Sequence, residues 1–131
     1  MKNGDIGFGL VGTGMAGGFH AKELRHVRGA RLAAVCSRDP ARLQGFARQW
    51  EVPRSYTHFS ELCRDPDVDV VCVLTPTGTH LEVARAASAA GKHVLIEKPL
   101  DVNLQRADEM IRLCRANRTK LGVIFQMRFG T

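Results

Sequence analysis

Apolar runs of strand character alternate along this chain with stretches whose apolar positions recur every three to four residues. Ile6 to Val11 is a short apolar run rich in glycine, and a helical stretch follows from Met15 to about Arg28. Arg31 to Cys36 is the next apolar run. Asp39-Pro40 then predicts a helix start, with Asp as N-cap and Pro at the first helical position. That helix carries Leu43, Phe46, Ala47 and Trp50 at i, i+3, i+4 and i+7. Pro53 ends the turn beyond it; Ser55 to Thr57 reads as a short strand and Ser60 to Arg64 as a helical turn. Val68 to Leu74 is nearly continuously apolar, as a strand covered on both faces should be. Thr79 to Ala90 predicts an Ala-rich helix closed by Gly91. A strand over His93 to Ile96, a helix over Asn103 to Asn117 and a strand over Leu121 to Gln126 complete the pattern. Six strands alternating with helices predict an α/β fold with a doubly wound parallel sheet, since each crossover lays a helix on one of its faces. There is no internal repeat or low-complexity linker, and residues 1–131 fit a single domain.

Gly12-Thr13-Gly14-Met15-Ala16-Gly17 fits G-x-G-x-x-G. The spacing alone is common, but here it leaves a predicted strand and opens a predicted helix, the setting of a Rossmann-type dinucleotide site. Gly12 permits the tight turn, Gly14 lets the backbone approach a pyrophosphate, and Gly17 lets the helix pack close to the strand. The helix N-terminus offers unpaired N–H groups and a partial positive charge to the phosphates. Thr13, Met15 and Ala16 belong to the same predicted cradle.

The end of the second strand selects the cofactor. An NAD site usually places Asp or Glu about 20 residues after the glycines, to accept from the ribose 2′-OH. Ser37 and Arg38 stand there, with Arg42 one helical turn on. A hydroxyl beside a guanidinium suits a 2′-phosphate, which Arg binds bidentately. NADP(H) is therefore expected in preference to NAD(H), and Asp39, the one acid nearby, is assigned to helix capping. The same lack of an acid argues against an S-adenosylmethionine methyltransferase.

Thr75-Pro76-Thr77-Gly78-Thr79-His80 follows the fourth strand and Glu97-Lys98-Pro99 the fifth, both at carboxyl ends, where open α/β sheets bind ligands. With the glycine turn, these segments resemble the N-terminal domain of the glucose-fructose oxidoreductase / inositol dehydrogenase family (Gfo/Idh/MocA). The resemblance covers essentially the whole chain, and Gln126-Met127-Arg128-Phe129 is similar to the family's sixth-strand end. It implies hydride transfer between a nicotinamide and a sugar, cyclitol or related alcohol carbon. By resemblance Lys98 is the catalytic residue, where an ammonium can stabilise charge developing on the alcohol oxygen. Glu97 would help to place the nicotinamide or its ribose, and Thr75 and Pro76 would pass under the cofactor. Thr77 stands where the family often carries Asn, a departure at that contact. His80 has two readings, a cofactor contact or a helix-start histidine bonding to its own loop. The family also carries a second α/β domain that forms the substrate pocket and much of the homo-oligomer contact. It would begin just after Phe129 and is absent from these 131 residues. Little turnover is then expected of the chain alone, and a stand-alone dinucleotide-binding or sensing module is the alternative to an oxidoreductase half.

Composition narrows the partners. The chain is 44% hydrophobic and 24% charged, with no apolar run near the ~20 residues of a membrane span. The net charge is +6, yet the arginines are scattered and not interleaved with aromatics, so no nucleic-acid partner is expected and most arginines read as solvated helix faces. No signal-peptide pattern opens the chain, and a cytoplasmic location is expected. Cys36, Cys63, Cys72 and Cys114 lack metal-ligand spacing and read as buried thiols. His20 and His26, in the first predicted helix, His58, in a turn, and His93, at a strand start, are assigned structural roles, and no metal site is predicted.

Overall fold

The computed structural model describes residues 4–98, 101 and 103–124. Among these residues six strands form one sheet: β1 (Ile6–Val11), β2 (Ala30–Cys36), β3 (Arg54–Tyr56), β4 (Val70–Val73), β5 (His93–Glu97) and β6 (Leu121–Ile124). Their order is β3-β2-β1-β4-β5-β6, and every neighbouring pair is parallel. The helices are α1 (Met15–Leu24), α2 (Pro40–Gln49), α3 (Phe59–Cys63), α4 (His80–Ala89) and α5 (Leu104–Ala116). This is the doubly wound Rossmann order, and the direction of winding reverses between β1 and β4.

Side chains alternate between the two faces of the sheet and explain its two cores. On one face Leu10, Val35 and Cys72 pack with Ala21 of α1 and with Leu43 and Phe46 of α2. On the other, Val11, Ala34, Val71, Val73, Val94 and Ile96 pack with Leu62, Leu81, Ala84, Met110 and Cys114 of α3, α4 and α5. Each fully buried Leu, Ile, Val or Met contributes roughly 1.5–3 kcal/mol relative to exposure.

Local chemistry sets most of the boundaries. The Asp39 carboxylate accepts from the N–H groups of Ala41 (3.0 Å) and Arg42 and caps α2. Asn103 caps α5 through the Arg106 N–H, at 2.9 Å. His58 sits at the N-cap of α3, where its Nδ1 accepts from the Ser60 N–H. Gly91, at φ 79°, ends α4 in a Schellman motif: its N–H reaches the Ser88 carbonyl, and the Lys92 N–H reaches Ala87. Glu51 (φ 54°) and Arg118 (φ 58°) end α2 and α5 in the same way without being glycine.

Several predicted boundaries shift, most by a single residue. α1 stops at Leu24 rather than Arg28, because the His26 and Val27 N–H groups bond back three residues and Gly29, at φ 84°, turns the chain into β2. His26 therefore lies outside the helix. Thr77–Thr79 form a separate 3-10 turn before α4, and the ladder of β4 covers only Val70–Val73. The end of the predicted last strand and residues 126–129 lie outside the described residues.

The arginines are not all solvated faces. Asp65, 3% exposed at the amino edge of the sheet, accepts from Arg54 (2.7 Å), from the Tyr56 hydroxyl (2.8 Å) and from the Asp67 N–H (2.8 Å). Lys92 donates to the Asp65 carbonyl, at 2.9 Å. This cluster stands at the opposite edge from the loops described next.

Candidate functional site

Because the strands run parallel, every segment that follows a strand emerges along one edge of the sheet. The glycine turn leaves β1, Ser37-Arg38 leaves β2, Thr75–Thr79 leaves β4, and Glu97-Lys98 closes β5. Segments distant in sequence thus line one edge in the order β2, β1, β4, β5, across the β1/β4 switch point.

The turn itself is stitched to its neighbours. Gly12 has φ 125° and donates its N–H to the Cys36 carbonyl (3.0 Å), while the Leu74 N–H donates to Val11 (2.9 Å). An added Cβ on Gly17 would lie 2.6 Å from the Gly12 carbonyl oxygen, so glycine here allows α1 to sit against the turn. Gly14 differs. Its φ of −76° suits any residue, and an added Cβ would meet nothing within 4 Å. No intramolecular contact asks for glycine at Gly14; a ligand approaching the backbone would. Gly14 is also the N-cap of α1 and supplies no side-chain cap, so the first-turn N–H groups point out along the helix axis. Open space and uncapped donors together fit a pyrophosphate.

At the end of β2 the Ser37 N–H donates to the Tyr56 carbonyl (3.1 Å), and its hydroxyl accepts from the Asp39 N–H (3.3 Å). Arg38 and Arg42 are exposed, and among the described residues neither takes part in an ion pair. The Asp39 carboxylate is turned to its own helix.

After β4, His80 is 1% exposed and its Nε2 donates to the Thr75 carbonyl, at 2.8 Å. The Thr79 hydroxyl lies 2.7 Å from both the Thr75 hydroxyl and the Pro76 carbonyl oxygen. These bonds hold the loop from beneath and leave Pro76 exposed at its surface.

Two residues that the sequence reading passed over fix the far side. Asp101, its side chain fully buried, accepts from the Leu81 N–H (3.0 Å) at the start of α4 and from Arg106 Nε (2.8 Å). Arg106 also donates to the Gly78 carbonyl (3.0 Å) and to both oxygens of Glu82 (2.9 Å). The Arg106 hydrogen bond holds the Glu82 carboxyl below its usual range. The segment after β5 is thereby tied to the loop after β4. An acid near a helix start is the usual signal for such a contact, but the helix Asp101 serves lies 20 residues earlier in the chain.

Lys98 is exposed immediately after half-buried Glu97; Pro99 lies outside the described residues. Glu97 Oε1 accepts from His20 Nε2 at 3.1 Å. His20 was readable as a sheet-side residue one turn beyond Gly17, but nothing local names its partner.

All four thiols are buried and unpaired. Burial pushes Cys36 up to about 12 and Cys63 up to about 11. Burial, with Glu97 nearby, pushes Cys72 up to about 12. Since the thiolate is the reactive form, these three supply no nucleophile near neutral pH. Among the described residues no three His, Cys, Asp or Glu side chains gather to hold a metal ion, and no helix is long and apolar enough to cross a membrane.

Residues 6–125 match the model of the GFO_IDH_MocA oxidoreductase family, described by its NAD-binding Rossmann fold. The chain belongs to this family. Myo-inositol 2-dehydrogenase of Thermotoga maritima is 36% identical over 129 residues, 98% of this chain and 37% of that protein. Scyllo-inositol dehydrogenase from Lactobacillus casei, solved with NAD(H) and scyllo-inositol, superimposes with a TM-score of 0.89 at 29% identity, over 96% of this chain and 38% of that one. Biliverdin reductase from Synechocystis sp. PCC 6803, solved with biliverdin and NADP+, gives a TM-score of 0.84 at 31% identity, over 90% and 37%. This Gfo/Idh/MocA chain thus spans just over a third of the length of these relatives. Family members bind either nicotinamide dinucleotide, so the cofactor class of the domain is NAD(P).

Proposed function

We propose that this chain is the cofactor half of an NADP(H)-preferring dehydrogenase acting on a CH–OH group of a polyol or sugar. The observation that carries the cofactor choice is the end of β2, where Ser37 and two exposed guanidinia, Arg38 and Arg42, stand and the single acid is spent on capping α2. A 2′-phosphate would find cations and a hydroxyl there, whereas a bare ribose 2′-OH would find no carboxylate to accept its proton. The Gly12–Gly17 turn would hold the pyrophosphate, and Thr75, Pro76 and Thr77 would line the path to the nicotinamide. His80 supports that loop from below, and Glu97 would receive a ribose or carboxamide donor. The nicotinamide, when bound, supplies the hydride chemistry. Lys98 supplies a cation at the strand end beside it, able to hydrogen-bond the reacting alcohol oxygen and stabilise negative charge there. The inositol dehydrogenases among the relatives support a polyol as substrate class.

Thermal shift with each reduced cofactor tests this assignment. NADPH should raise the melting temperature more than NADH, Arg38→Ala should remove the difference, and Lys98→Ala should retain it. Equal shifts by NADPH and NADH in the unaltered chain would refute the NADP(H) preference.

A further inference from the structure

One polar contact joins the helix of the phosphate cradle to the strand that ends beside Lys98. His20, on α1 one turn past Gly17, donates from Nε2 to Oε1 of Glu97 at 3.1 Å, with the two side chains only 17% and 16% exposed. A carboxylate has no proton to give, so the imidazole nitrogen carries it. Among the described residues the second oxygen of Glu97 takes no hydrogen bond. A glutamate side chain loses much rotamer freedom when it is ordered. A partner that orders it in advance removes that cost from ligand binding. Leu95, two residues before Glu97 on β5, packs against the cluster that holds Ala21 of α1, so Glu97 lies on the sheet face that α1 covers.

We propose that His20 is a positioning residue. It holds the Glu97 carboxylate so that its second oxygen can accept from the ribose hydroxyl or carboxamide N–H at the nicotinamide end of the dinucleotide. The inference rests on the dinucleotide reading above and adds a residue to it. It couples the two ends of the ligand through the protein: the helix whose N-terminus faces the pyrophosphate also fixes the acceptor for the nicotinamide. A plain staple between α1 and β5 would act differently, because it would affect every ligand of the cradle alike.

The test compares NADPH with 2′-phospho-ADP, which keeps the adenosine 2′-phosphate and the pyrophosphate but lacks the nicotinamide and its ribose, by calorimetric titration of the full chain. If the unaltered chain prefers NADH, the pair becomes NADH and ADP. His20→Ala should weaken the dinucleotide on the order of tenfold, as expected for a lost hydrogen bond to a charged group, and change the truncated probe by less than about twofold. His20→Gln, whose amide N–H stands in for Nε2–H, should restore most of the loss. Glu97→Gln should weaken the dinucleotide by itself, and adding His20→Ala to it should cost little more, because the two residues act through one contact. Unchanged dinucleotide binding in His20→Ala, or equal losses for both probes, overturns the positioning role while leaving the dinucleotide reading intact. Failure of the unaltered chain to bind either dinucleotide overturns both. Retained binding of the truncated probe shows that each variant is folded.

Discussion

At Gly17 an added methyl would lie 2.6 Å from the Gly12 carbonyl oxygen, whereas at Gly14 it would meet nothing within 4 Å. The two glycines look alike in the motif but answer to different partners. Gly17→Ala should cost about 1–3 kcal/mol, because backbone rather than a yielding side chain must move. Gly14→Ala should change stability by less than about 1 kcal/mol, its poorer capping offset by a less flexible unfolded chain. The same substitution should nevertheless weaken dinucleotide binding, since its methyl occupies the approach to the first-turn donors. Chemical denaturation and cofactor titration of both variants separate these effects. A large stability loss at Gly14 would show that the turn itself needs glycine there. Sequence spacing located these residues, but the division between a fold requirement and a ligand requirement needed the distances.

Helix ends show where local sequence informs and where it does not. Asp39 and Gly91 do what their residue types suggest, capping α2 and turning the chain out of α4. Glu51 and Arg118 adopt the same left-handed geometry with no residue-type signal, and α1 ends early through a glycine five residues past its last helical position. The start of α4 relies on Asp101, which accepts from the Leu81 N–H, and on Arg106, which donates to the Gly78 carbonyl, contacts that no local pattern contains. Arg106 depresses the Glu82 carboxyl below its ordinary 4.5. A group whose folded pKa is lowered contributes stability that is complete above its unfolded value and lost as pH falls through the folded one. Melting temperature should therefore decline on acidification below about pH 4.5. Glu82→Gln should flatten that decline, and salt should weaken the contribution, since the pair is partly exposed. An unchanged acid profile in Glu82→Gln would remove this pair from the explanation.

At the scale of the molecule, the alternation of strands and helices was legible because a parallel sheet buried on both faces leaves continuous apolar runs, as in Val70–Val73. The gathering of the four loops followed from that topology and the glycine motif. The His20–Glu97, Leu81–Asp101 and Arg106–Glu82 contacts were not legible, since each joins elements that only the strand order brings together. Burial of all four cysteines makes the thiols a probe of the whole fold. At about pH 8 a disulfide reagent should label the native chain only as fast as the chain opens, and denaturant should release all four together. A rapid stoichiometric phase under native conditions would mean that one thiol is reached without opening.

The bonds from Gly12 to Cys36 and from Leu74 to Val11 have a consequence for how the chain is made. β1 can pair with β2 soon after both have left the ribosome, but its other edge waits for β4, which is synthesised much later. Until then the central strand of the finished sheet is an unprotected border, and the turn above it lacks one of its two supports. Non-local pairing of this kind slows folding and exposes nascent chains to misassociation. The loop that reads most clearly in the sequence thus acquires its working shape only after β4 has been made, about sixty residues beyond it.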